Sequence, residues 1–95
     1  MNMDVLERDM SATPAEFAHG LRLAFGNRVE GGPLEYRVRI EGTLLEVRLT
    51  PLPDRVIAGL RLPRLQARLC FVGGDAASRA SLLARMDLAM HRGGG

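Results

Sequence analysis

The most regular pattern in the chain runs over Glu35–Leu49, EYRVRIEGTLLEVRL, where apolar residues alternate with charged ones on both sides of Glu41-Gly42. A period of two predicts half-buried strands, and a two-residue link ending in glycine predicts a tight hairpin between them. That turn sets the register. Ile40 pairs with Thr43, and Val38, Tyr36 and Leu34 meet Leu45, Val47 and Leu49 on one face. On the other face Arg37 lies opposite Glu46 and Glu35 opposite Arg48, two attractive cross-strand pairs worth roughly 0.2–1 kcal/mol each. Arg39 is left without an acidic neighbour.

Upstream, Thr13-Pro14-Ala15-Glu16 has the form of a capping box, with Thr at the N-cap, Pro at the first helical position and Glu at the third. Phe17, Leu21, Ala24 and Phe25 follow on one face of a helix. The same stretch also alternates, which leaves a strand open over 17–25, and Gly20 weakens a helix by roughly 1 kcal/mol relative to Ala. The cap favours the helix. Residues 1–12 lack periodicity and predict a flexible or partly helical arm ahead of an ordered domain over 13–92.

Downstream, Pro51-Leu52-Pro53-Asp54 predicts a stiff connection. Arg55–Leu62 and Leu65–Val72 then form a second hairpin around Pro63-Arg64, with Val56, Ala58, Leu60 and Leu62 facing Phe71, Leu69, Ala67 and Leu65. Gly73-Gly74-Asp75 ends the sheet and caps a last helix. On that helix Leu82, Leu83, Met86 and Met90 are spaced to cover the sheet, while Arg79, Arg85 and Asp87 are expected to face water. Gly93–Gly95 stops the helix and forms a flexible tail. The expected fold is α+β: a four-stranded antiparallel meander, or five strands if 17–25 is one, with the C-terminal helix on one face and an N-terminal helix.

Composition narrows the function classes. A chain of 95 residues, 46% hydrophobic and 25% charged, is a single globular domain, and no apolar run reaches the roughly 18–20 residues of a membrane span. Asp4, Glu7 and Asp9 stand where a signal peptide would be basic and apolar, so a cytoplasmic location is expected. The single Cys70 has no internal disulfide partner, which fits a reducing compartment. All 13 basic residues are Arg, a uniformity that fits a compositional bias of the genome as readily as selection for guanidinium chemistry and lowers the weight of each one as a functional signal. Charge is nonetheless uneven, at −2 over residues 1–33 (three Arg, five acids) and +3 over 34–72 (seven Arg, four acids).

Candidate chemistry is sparse. His91 follows Asp87 by four residues, a helical spacing that could orient a general base but also suits an exposed pair at a helix C-terminus. Cys70 lies between Leu69 and Phe71, where a packing role competes with a nucleophilic one. A metal site from Cys70, His19 and His91 would need distant segments to converge without a close ligand pair, so no metal or other cofactor is expected. The final Gly94-Gly95 resembles the tail of ubiquitin-like sulfur carriers, whose C-terminal glycine is activated as a thiocarboxylate. In those carriers the glycines follow a strand, whereas here a helix precedes them.

Two surfaces remain. Arg39, Arg55, Arg61, Arg64 and Arg68 could track nucleic-acid phosphates, but base-stacking platforms also need exposed aromatics, and Phe17, Phe25, Tyr36 and Phe71 all fall on predicted core faces. The second sheet face mixes arginines with Leu44, Ile57, Cys70 and Val72, a combination that suits burial against another protein or copy unless the N-terminal helix covers it. The expected function is therefore that of a small, non-enzymatic bacterial protein acting by association, as a homodimer or accessory subunit, with nucleic-acid binding as the alternative.

Overall fold

The computed structural model describes residues 3–93. Strands β1 (Met3–Met10), β2 (Val29–Gly31), β3 (Glu35–Ile40), β4 (Thr43–Ile57) and β5 (Leu60–Gly73) form one antiparallel sheet in the order β1-β5-β4-β3-β2. Helices α1 (Pro14–Phe25) and α2 (Ala76–Gly93) pack together over one face of it. The expected α+β class holds. Phe17–Phe25 is helical, the four predicted strand segments merge into β3, β4 and β5, and β1 and β2 come from segments outside them.

Local signals account for several elements. The α1 capping box is closed in both directions, with Glu16 N–H donating to Thr13 Oγ1 at 3.1 Å and Thr13 N–H donating to Glu16 Oε1 at 2.9 Å. At the α2 start, Ser78 N–H donates to Asp75 Oδ1 at 2.7 Å. The β3–β4 hairpin has the expected register throughout, from Ile40↔Thr43 to Glu35↔Arg48. Its turn residues Glu41 and Gly42 have φ of 47° and 83°, the positive pair that a primed turn requires.

The second hairpin corrects the expectation. Its turn is Ala58-Gly59, not Pro63-Arg64, and Pro51–Asp54 lies inside β4. Leu45, Val47 and Leu49 therefore pair with Phe71, Leu69 and Ala67, while Val56, Leu60 and Leu62 stand outside the core. The prolines are tolerated because their missing donors point to open edges. Leu49 N–H donates to Leu34 O on the β3 side, and Pro51, two residues on, faces the same side beyond the end of β3. Pro63 likewise directs its carbonyl to Ser11 Oγ, past the end of β1 at Met10.

Residues 3–10, expected as a flexible or partly helical arm, are the edge strand β1, paired to β5 from Met3↔Val72 to Met10↔Leu65. Its pattern is masked because Asp4 and Arg8 share the helix-side face with Leu6 and Met10. Both find partners on α2. Arg8 forms a two-point pair with Asp87, and Asp4 receives Arg79 Nη1 at 2.6 Å. Arg79 and Asp87 thus tie α2 to β1, against the expectation that they face water, while Arg85 is exposed as expected and reaches Ala24 O at 2.8 Å with its guanidinium over the Phe25 ring.

The core lies between the sheet and both helices. Phe17, Leu21 and Phe25 of α1 and Leu82 and Met86 of α2 meet Tyr36, Val38, Leu45, Val47, Leu49, Leu65, Leu69 and Phe71. All four aromatics are buried, as expected, and Tyr36 satisfies its hydroxyl on Pro33 O at 3.0 Å. Gly20 is the point where α1 and α2 approach, since a Cβ there would stand 2.4 Å from Met90 Sδ. Thr43 is also buried, against Gly74, with no hydrogen-bond partner for Oγ1 among the described residues.

The two threonines should respond oppositely in urea unfolding. Thr13→Ala is expected to lose about 1 kcal/mol with the cap, and Thr43→Val to gain about 1 kcal/mol by removing an unsatisfied buried hydroxyl. A loss for Thr43→Val would show that its hydroxyl is satisfied. Hydrogen bonds from Ser78 hold the Asp75 carboxyl below its ordinary value. A depressed carboxyl stabilises the fold above the unfolded value, and that contribution is lost as pH falls through the folded one. Wild type is thus expected to melt above Asp75→Asn at neutral pH, with the two curves converging in acid when thermal unfolding is followed down the pH scale.

Candidate protein interface

Directly paired residues share a face, so the ladders sort every strand residue. Opposite the helices, β5 presents Arg64, Gln66, Arg68, Cys70 and Val72, and its partners on β4 are Leu52, Thr50, Arg48, Glu46 and Leu44. On β1 side chains Val5, Glu7 and Asp9 extend the face, and on β3 Arg39, Arg37 and Glu35 do so. Both helices lie on the other side. Among the described residues this face is uncovered.

Its middle is electrically balanced. Arg48 Nη2 is 3.2 Å from Glu35 Oε1 and Arg37 Nε is 3.9 Å from Glu46 Oε2, the two pairs predicted by the hairpin register. These exposed pairs are worth roughly 0–1 kcal/mol each, enough to neutralise the surface without stiffening it. A shallow depression of about 600 Å³ lies here, lined by Glu30, Glu35 and Glu46 against Arg37, Arg48 and Arg68, with Cys70 half-buried among them. Three cations against three anions give it no preference for an ion of either sign.

The four predicted interface residues do not form one patch within the chain. Leu44 and Val72 are cross-strand neighbours at the base of the sheet, and Cys70 lies one row along, paired with Val5 on β1. Ile57 is elsewhere. It lies 13 residues along β4 from Leu44, roughly 40 Å away at the rise of a strand, beside the Ala58-Gly59 turn.

That position belongs to an arm. β3 pairing ends at Arg48 and β1 pairing at Leu65, so residues 51–63 continue as a two-stranded ribbon that no further strand among the described residues pairs. The ladder shifts by one residue between Leu52 and Arg55, a bulge that bends and twists the ribbon. β4 therefore sets the longest dimension of the molecule, 46 Å against 24 and 22 Å. Val56, Ile57, Leu60 and Leu62 on the arm are 60%, 50%, 66% and 37% exposed. A two-stranded hairpin is marginal in water by itself, and an apolar one invites cover. Val5, Leu60 and Leu62 are surface residues that sequence reasoning missed, because they become visible only in the true register.

The predicted arginines are also divided. Arg39 is at the base opposite Leu44, and Arg68 is central, in a row with Glu7 and Arg48. Arg64 lies 3.9 Å from Asp9. Arg55 is paired with Leu62 on the continuation of the open face, whereas Arg61 is paired with Val56 on its reverse.

The titratable candidates do not assemble. Asp87 and the exposed His91 line one small depression of about 300 Å³ together with Glu16 and Met90, but Asp87 engages Arg8 there and not the imidazole. His19 is exposed on α1, and Cys70 lies on the sheet face away from both helices. No group of three or more His, Cys, Asp or Glu able to hold a metal occurs among the described residues. Gly94 and Gly95 lie outside them. No helix among those residues is long and apolar enough to cross a membrane. No family model, curated protein or solved structure matches the chain.

If the arm's apolar residues serve contact and not folding, Leu60→Ser and Val56→Ser should change unfolding free energy by less than about 0.5 kcal/mol in dilute protein, against about 2–5 kcal/mol lost for Leu69→Ala. Chemical denaturation of the three variants at one low concentration provides the check. Losses of core size at Leu60 would place the arm inside the folding unit.

Proposed function

We propose that this protein acts by association with another protein surface, as a homodimer or an accessory subunit, through the open sheet face and the β4–β5 arm. The arm carries the proposal. Evolving chains do not commonly extend a ribbon with four exposed aliphatic residues into water, and neither the core nor the helices use these side chains. The polar, self-neutralised centre between the arm and the apolar base suits a contact that must also dissolve alone.

Nucleic-acid binding through Arg39, Arg55, Arg61, Arg64 and Arg68 is the weaker alternative. Phosphate tracking needs cations gathered along one surface, whereas Arg61 is on the reverse of the arm and Arg64 has an acidic neighbour. The four aromatics that could stack bases are in the core.

The test is the mass of the chain in an extract of cells that express it, before and after nuclease treatment. Wild type is expected to migrate well above its own 10.4 kDa, and Leu60→Glu and Val72→Glu to move toward that value with unchanged circular dichroism. Burial of such a side chain contributes about 1.5–3 kcal/mol, so each variant should weaken the complex by about tenfold or more. Variants that keep the wild-type mass and every partner would refute association through this surface. Loss of mass on nuclease treatment, with affinity falling steeply in salt, would transfer the function to the arginines.

A further inference from the structure

The residue types on the open face are arranged about a central row. Along β5 the face residues Leu60, Leu62, Arg64, Gln66, Arg68, Cys70 and Val72 recur every second position, and Gln66, paired with Thr50, is the midpoint. Counting outward from that neutral row, the apolar tip, Ile57 with Leu60, is as far from the centre as the apolar base, Leu44 with Val72. One step further in, Arg55 with Leu62 is as far out as Glu46 with Cys70. Under a two-fold axis through the central row, apolar ends meet apolar ends and Arg55 meets Glu46.

Resting on the association reading, we propose that a second copy of this chain packs on the open face, antiparallel, each arm lying along the partner copy's sheet. Such a contact is isologous, with residue i on j and j on i. It gathers the sequence-predicted residues into one surface, since Ile57 of each copy reaches Leu44 and Val72 of the other. The innermost charged rows bring Leu52 and Arg64 toward Arg48 and Arg68 of the second copy, where Glu35 is 3.2 Å from Arg48, Glu7 shares the row of Arg68, and Asp9 is 3.9 Å from Arg64.

Face packing is also the route the edges leave open. Pro51, Pro53 and Pro63 remove backbone donors from the arm, and β1 presents Asp4, Glu7 and Asp9 against the single Arg8, so strand addition along the arm and along β1 is opposed, while the other edge, β2, is only three residues long. The long side of a body of 46 × 24 Å is of the order of 1,000 Å², against the roughly 800 Å² each partner contributes to a standard interface. Stacked sheets lie about 10 Å apart, within reach of side chains from both.

The native Cys70 makes the geometry testable in the purified full-length protein. The chain should sediment at twice 10.4 kDa, and Leu62→Cys should give a covalent dimer with a short bismaleimide, joining residue 62 of one copy to Cys70 of the other. Within one chain these positions are eight residues apart on β5, roughly 26 Å, beyond the reagent's span. The two-fold leaves residue 70 equally far from its own symmetry mate, and residue 62 likewise. Wild type and Leu62→Cys/Cys70→Ala should therefore remain uncrosslinked. Arg55→Glu and Glu46→Arg should each weaken the dimer several-fold, and their combination should restore it. A purified chain that stays monomeric at every accessible concentration, or crosslinks as readily in the single-cysteine controls, overturns the antiparallel pairing. A monomer that still loses mass in extract on Leu60→Glu would leave association in place with a different partner.

Discussion

Pairing of β4 with β5, from Thr43↔Gly73 to Ile57↔Leu60, decides where every other element can go. It places Leu45, Val47 and Leu49 beside Phe71, Leu69 and Ala67, and so creates the apolar strip that both helices cover. β1 adds to the outer side of β5 and β3 to the outer side of β4, each only as far as its own length allows. The arm is what remains when the neighbours stop.

A second constraint ties the ends of the chain together. The β1 face that should pack on the helices carries Asp4 and Arg8, and α2 answers with Arg79 and Asp87. The pairs are partly exposed and contribute modestly to stability. Their value is positional, because Arg79 also donates to Gly73 O at 3.0 Å and to Gly74 O, holding the start of α2 against the end of β5. Gly74 allows the close approach there, with φ of 69° and no room for a Cβ beside Thr43.

The two faces of the sheet have opposite characters. One is a dry core with all four aromatics. The other is a balanced mosaic of guanidinium and carboxylate groups between two apolar ends, with free edges defended by proline on the arm and by acids on β1. Such defence limits uncontrolled strand addition while leaving side-chain contact available.

What the sequence determined by itself was local. The Thr13–Glu16 box, the Asp75 cap and the Glu41-Gly42 turn each act within a few residues, and the 35–49 alternation with its two charge pairs fixes its own register and puts Tyr36 inside. Where the determining contacts are distant, the tertiary structure decided. β1 is hidden in the sequence because partners 75 and 79 residues away satisfy its polar residues. The arm is hidden because Pro51, Pro53 and Pro63 read as breaks until open edges make them harmless, and because Ala58 enters a positive-φ turn that alanine does not advertise. That both helices share one face, leaving Leu44, Cys70 and Val72 open and Ile57 far from them, follows from packing alone, since periodicity shows which residues seek cover and not what covers them.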